Sequence, residues 1–183
     1  SPRQTIKVEV TAQHSPLQSL NFAGLRVKDA ICDRLRDKRG ERPSVDTLRP
    51  DVRLFTHLTH DACTVYIDTS GEPLFKRGWR EDKGDAPLKE TLAAAMIAAS
   101  GWADGDADLM PLYDPCCGSG TIAIEAAQIA CNIAAGSLRR FAFEKFVPFR
   151  HQVWADMKKE AAEAVVKPEP GQKAPIYGSD VPH

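Results

Sequence analysis

The chain has 183 residues, 43% of them hydrophobic, and its 24 basic and 25 acidic side chains leave a formal net charge of −1. That is enough apolar material for one large domain or two small ones, and the near balance of charge excludes a globally basic nucleic-acid binder, leaving only local patches for that role. No stretch approaches the roughly eighteen apolar residues of a membrane span, and the N-terminus lacks a charged-then-apolar leader, so a soluble protein with no membrane partner is expected.

Residues 5–10 alternate apolar and polar side chains, as a half-buried strand does, until His14, Ser15 and Pro16 break the pattern. Residues 25–35 place Val27, Ala30, Ile31 and Leu35 on one helical face, with a mixed basic and acidic face opposite, and Gly40 is the expected stop. Residues 52–58 and 63–68 form two strand candidates joined by Thr59-His-Asp-Ala62, the pattern of a hairpin. Residues 69–73, Thr-Ser-Gly-Glu-Pro, mark a boundary by composition, and a basic, aromatic connector follows over residues 74–84. Pro87 then opens a helix over residues 88–100, with Leu92, Ala95, Met96 and Ala99 as its expected buried face and Gly101 as its end. A polar loop at 104–108 leads to a strand at 111–114. A helix at 122–130, a packed loop with four phenylalanines at 139–149, a helix at 154–165, a linker at 167–175 and a last strand at 176–180 complete the chain. Both ends look cut, so the chain is expected to be a fragment of a longer polypeptide.

The five cysteines, Cys32, Cys63, Cys116, Cys117 and Cys131, are odd in number and irregularly spaced. This argues against a disulfide framework and fits a reducing, cytoplasmic location. Cys116 and Cys117 are adjacent, no His stands at ligand spacing, and no metal is expected. Both cysteines are expected to pack as small side chains in a crowded turn.

The chemistry concentrates in Asp114-Pro-Cys-Cys-Gly-Ser-Gly-Thr121, between the strand and the helix. Glycines there let backbone approach a ligand closely, and the helix behind them presents its positive end. A phosphate-cradling loop would end in Gly-Lys-Ser/Thr, and here Thr121 follows Gly120 directly. A dinucleotide fingerprint matches only in part, with Ala123 at the third glycine position. Asp-x-x-x-Gly-x-Gly fits better with the first motif of class I S-adenosylmethionine-dependent methyltransferases, whose ligand carries no phosphate. Asp180, at the tip of the last strand, is the candidate ribose-binding acid. It stands sixty residues beyond Gly120 instead of the usual twenty or so, and the segment between reads as an insertion.

The octapeptide, with Ala86-Pro-Leu-Lys-Glu90, Arg77-Gly-Trp-Arg80, Asp68-Thr-Ser-Gly71, Phe141-Ala-Phe143 and Gly178-Ser-Asp180, closely resembles the THUMP-domain-containing RNA methyltransferases. It stands close to the bacterial enzymes that methylate a guanine exocyclic amine in 23S ribosomal RNA. The resemblance covers nearly the whole chain and implies an α/β fold. Residues 1–70 would be the later part of a THUMP RNA-binding domain, and residues 71–183 the beginning of a Rossmann-like methyltransferase domain. It further implies that Asp114, Pro115, Cys116, Gly118, Gly120 and Thr121 line an S-adenosyl-L-methionine site. Asp180 would hold the ribose, and Pro87, Leu88, Lys89 and Glu90 would lie beside the methionine end. The family's Asn/Asp-Pro-Pro-Tyr element, which grips the target base, is absent, so the chain alone is expected to be inactive.

Large-subunit ribosomal RNA is the implied partner. Within the connector, Lys76, Arg77, Trp79 and Arg80, with Lys83, are candidate RNA contacts through phosphates and base stacking; a core role for Trp79 at an interdomain joint fits equally well. The basic helix is a second candidate surface, though its interleaved acids suit a solvated face as well. Two other functions compete, a non-catalytic RNA-binding module and a nucleotide-dependent oxidoreductase.

Overall fold

The computed structural model describes residues 3–81, 86–103, 110–167 and 175–181. The polar loop at 104–108, most of the linker at 167–175 and Lys83 lie outside the described residues. The chain divides into two compact units, Ser1–Glu72 with Phe141–Phe149, and Pro73–Arg140 with Arg150–His183.

The first unit is a three-stranded sheet in the order β1-β2-β3, with β1 at Ile6–Ala12, β2 at Val52–Leu58 and β3 at Cys63–Ile67. β1 and β2 run parallel, with Ile6 opposite Val52 and Ala12 opposite Leu58. Parallel neighbours need a crossover, supplied by helix α1, Leu20–Arg39, which packs on β1. β2 is the central strand, and its alternation shows in burial: Leu54, Thr56 and Leu58 are buried while the residues between them are half-buried. β2 and β3 form the expected antiparallel hairpin, and β3 lies exposed at the edge.

α1 begins five residues before the expected helix. Ser19 caps it, its hydroxyl accepting the Phe22 N–H at 3.2 Å; apolar periodicity alone passes over such a start. Gly40 ends it in the left-handed region at φ 77°. Ala30 is exposed, and the buried positions are Ala23 and Cys32.

Phe141–Phe149 belongs to this unit although it is distant in sequence. A 3-10 helix at Ala142–Lys145 forms its middle, and its backbone is tied by Phe143 N–H donating to the Thr69 carbonyl at 3.1 Å. The rings of Phe141 and Phe143 stack at 5.2 Å, and Phe149 lies 5.9 Å from Phe143. Lys145 Nζ donates to Asp51 at 2.9 Å, and Gln4 donates to the Lys145 carbonyl.

The second unit pairs β4, Leu112–Asp114, in parallel with β5, Ile176–Gly178, so that Asp114 stands opposite Gly178. Helices α2, Glu90–Ala99, and α3, Thr121–Ala130, pack on each other. α4, His151–Glu163, follows. Its end is joined to the end of α3 by Val166 N–H donating to the Cys131 carbonyl at 2.9 Å and by the Asn132 amide donating to the Ala164 carbonyl at 3.1 Å. The expected face of α2 is wrong. Leu92, Ala95, Met96 and Ala99 are exposed, and Glu90, Ala93 and Ile97 are buried. With apolar residues all round this helix, periodicity does not choose a side. A buried salt bridge at Glu90 does.

Asp51 carries a testable consequence. The Lys145 ammonium and the Thr5 amide hold its carboxyl below the usual carboxylate range. A depressed folded pKa stabilises above the unfolded value, so the contribution is complete above about pH 4 and is lost as pH falls through the lowered value. Urea unfolding between pH 7 and pH 3 should show Asp51→Asn less stable than wild type at pH 7, with the difference closing in acid.

Candidate cofactor-binding site

β4 ends at Asp114 and the chain turns through residues 115–120 into α3. Gly118 and Gly120 both take left-handed backbone, at φ 51° and 77°. Non-glycine residues adopt this region only at a cost of about 1–2 kcal/mol. Gly120 is the N-cap of α3 and no side chain caps that end, leaving it to a ligand's anionic or acceptor group. Asp114 Oδ1 accepts the Cys116 N–H at 3.1 Å, which closes the turn.

The tip of β5 is woven into this loop. Ser179 N–H donates to the Asp114 carbonyl and Cys117 N–H donates to the Ser179 carbonyl, both at 2.9 Å. Gly118 N–H donates to Asp180 Oδ2 at 2.6 Å. Tyr113 and Ser179 hydroxyls meet at 2.7 Å. The sixty residues between Gly120 and Asp180 therefore do not separate them in space, because parallel pairing of β4 and β5 brings both strand ends to one place. Ligands of open α/β sheets bind at such carboxyl ends.

Cys117 is the crowded cysteine: a Cβ on Gly178 would come within 3.0 Å of its Cβ. Cys116 is exposed, against expectation, because the turn closed by Asp114 points it outward. No cluster of three or more His, Cys, Asp or Glu able to hold a metal occurs among the described residues.

At the start of α2, Pro87 and Lys89 are exposed, Leu88 is half-buried and Glu90 is buried at 4% exposure. The Lys89 ammonium lies 5.5 Å from the centre of the Phe75 ring. Glu90 does not face solvent, because its Oε1 accepts the Arg80 Nε–H at 2.7 Å. Thr121 is likewise buried, its hydroxyl accepting from Arg80 Nη2 at 2.7 Å.

These contacts change the reading of the connector. Arg77, Trp79 and Arg80 are turned inward, onto Glu125, Glu90 and Thr121. Arg77 Nη2 and the Trp79 indole N–H both reach Glu125 of α3, at 3.4 and 3.3 Å. The side chains of Arg77 and Arg80 are only 14% and 11% exposed. Two buried carboxylates demand counter-charges, and Arg77 and Arg80 supply them. Lys76 is the exposed cation of the group. Sequence reasoning missed Glu125 and Ser119. Glu125 left a usable signal: it is the lone charge in the apolar run Ile122-Ala-Ile-Glu-Ala-Ala, downstream of two arginines.

The RMKL-like methyltransferase-domain family matches residues 77–183, more than half of the chain. The chain belongs to this family. The THUMP-domain family matches residues 1–68. The chain is 40% identical over 182 residues to the ribosomal RNA large subunit methyltransferase K/L of Shewanella pealeana, covering 99% of this chain and 25% of that protein. It is 47% identical over 137 residues to the protein of the same name from Magnetococcus marinus, covering 75% of this chain and 19% of that one. Among solved structures, a predicted N6-adenine-specific DNA methylase from Listeria monocytogenes superposes with a TM-score of 0.81 at 36% identity, covering 99% of this chain and 46% of that one. SMU.472, a methyltransferase candidate crystallised with SAH, superposes at 0.73 and 32% identity, covering 89% of this chain and 43% of that one. The chain thus spans a fifth to a quarter of the length of these K/L relatives and less than half of these solved structures. Its mixed α/β fold is that of the methylases it superposes on.

The buried carboxylate of α3 is testable. Removing one partner of a buried charge cluster costs about 3 kcal/mol or more. Glu125→Ala should lose stability of that order in denaturant unfolding. Glu163→Ala, which removes only the exposed pair with Lys159, should stay within about 0.5 kcal/mol of wild type.

Proposed function

We propose that this chain carries the RNA-binding and cofactor-binding part of an S-adenosyl-L-methionine-dependent methyltransferase. Its acceptor is the exocyclic amine of a guanine in large-subunit ribosomal RNA, and it works in the cytoplasm. The observation that carries the cofactor is the loop of Gly118 and Gly120 beside Asp180, at the carboxyl ends of two parallel strands and the uncapped start of α3. The SAH complex of a superposing structure supports the same reading. The names of the K/L relatives favour ribosomal RNA as acceptor over the DNA of the Listeria protein's description. Residues 1–70 act as the THUMP part and residues 71–183 as the methyltransferase part.

The donor set fits the cofactor. The loop has no lysine for phosphate, two glycines leave room at the backbone, and an acidic side chain stands where hydroxyls need an acceptor. When bound, S-adenosyl-L-methionine supplies an electrophilic methyl group on sulfur. Asp180, which accepts the Gly118 N–H, would also hold the ribose hydroxyls. Asp114, Pro115, Cys116, Gly118 and Gly120 line the pocket, and the free amides at the start of α3 meet the polar end of the ligand. Pro87, Leu88 and Lys89 form the wall beside the methionine end, with Glu90 and Thr121 fixed beneath it. What these residues contribute is positioning and electrostatics. The Asn/Asp-Pro-Pro-Tyr element is absent from this sequence, so the chain alone binds cofactor and RNA without transferring a methyl group. Within unit 1, exposed cations of α1 such as Arg26, Arg34, Lys38 and Arg39 supply phosphate contacts.

Calorimetric titration tests the cofactor. S-adenosylhomocysteine should bind and NAD should not, and Gly118→Val should abolish the heat because its side chain enters the pocket at a left-handed position. NAD binding would overturn the assignment. The acceptor is tested by mass spectrometry of 23S ribosomal RNA nucleosides from a strain lacking the gene. Loss of one N2-methylguanosine is expected, and loss of N6-methyladenosine instead would refute the guanine assignment.

A further inference from the structure

Arg80 reaches two segments, 88–90 and 119–121, from one guanidinium. Nε donates to Glu90 Oε1 at 2.7 Å, Nη2 to the Leu88 carbonyl at 3.2 Å and to Thr121 Oγ1 at 2.7 Å, and Nη1 to Ser119 Oγ at 3.0 Å. Its Cζ lies 5.0 Å from the centre of the Trp79 ring. The planar fork, held by a buried carboxylate behind and an aromatic ring beside it, has little freedom left.

The glycine loop has two sides. Its Asp114–Gly118 side is pinned by the tip of β5, through Ser179 and Asp180. The Ser119–Thr121 side has no such strand; its backbone is tied only locally, by Gly120 N–H donating to the Cys117 carbonyl at 2.8 Å and Ile124 N–H donating to the Gly120 carbonyl at 2.9 Å. Arg80 makes the side-chain hydrogen bonds that hold this half to the start of α2.

We propose that Arg80 is a positioning residue for the cofactor pocket: through Ser119 and Thr121 it fixes the second half of the glycine loop against the start of α2. It does not serve as a phosphate contact for RNA. The inference rests on the cofactor reading above. A pocket ordered before the ligand arrives binds it without the cost of ordering the loop. Lysine cannot reproduce this, since one ammonium does not span Glu90, Ser119 and Thr121 with fixed geometry.

The test uses the complete gene product carrying Arg80→Lys, which keeps the charge opposite Glu90, and Ser119→Ala, which removes one acceptor and leaves the buried ion pair intact. S-adenosylhomocysteine binding by calorimetry should weaken about tenfold in Arg80→Lys and severalfold in Ser119→Ala. In methyl transfer, the KM for S-adenosyl-L-methionine should rise while kcat and the KM for RNA hold. The affinity for ribosomal RNA and its salt dependence should match wild type. Unchanged S-adenosylhomocysteine affinity in both variants overturns the proposal, as does a shallower salt dependence of RNA binding in Arg80→Lys. If Arg80→Lys fails to fold, Ser119→Ala decides. Failure of the wild type to bind S-adenosylhomocysteine removes the cofactor reading and this inference together, a result distinct from wild-type binding that neither variant alters.

Discussion

Two carboxylates buried in facing helices govern the second unit. Glu90 at the start of α2 and Glu125 in the middle of α3 are 4% and 3% exposed, and burying a carboxylate without a partner is costly. The connector at 77–80 supplies both partners, Arg80 to Glu90 and Arg77 to Glu125, with the Trp79 indole completing Glu125. A buried ion pair often adds little net stability against an apolar replacement, yet it penalises every arrangement that leaves one charge alone. The consequence is geometric. α2 cannot rotate about its axis and α3 cannot slide without stranding a carboxylate, so the start of α3 is held where the glycine loop must end.

The loop itself is defined from the opposite side by backbone pairing. Parallel strands β4 and β5 carry Asp114 and Gly178 to the same level, and the residues just beyond them exchange hydrogen bonds across the gap. The loop is therefore clamped between a strand tip and an arginine fork. Glycine is required where the backbone turns left-handed at 118 and 120. At 178 the constraint is different: a side chain there would press on Cys117, which would have to give way.

The first unit is built differently. Its buried residues come from α1, from one face of β2, and from Ile6 of β1 and Pro43, and the distant segment Phe141–Phe149 is fastened to it by the Phe143 N–H on the Thr69 carbonyl and by Lys145 on Asp51. A run that follows α3 in sequence thus belongs to the unit that precedes α2. No local signal announces this. Four phenylalanines show that a segment packs, and only the fold shows against what.

Much of this protein was legible from residue order alone: the strands of the first unit and their hairpin, the stop at Gly40, the glycine loop and its strand and helix, and the family. These depend on local rules, on alternation, on capping and on backbone freedom at glycine, which a short stretch of sequence states in full. The face buried by α2, the inward turn of Arg77, Trp79 and Arg80, and the allegiance of Phe141–Phe149 were decided only in three dimensions. Each depends on a partner far along the chain. A guanidinium reads the same in sequence whether it will meet a phosphate outside or a buried carboxylate within, and the cost of leaving that carboxylate unpaired appears only once the helices have packed.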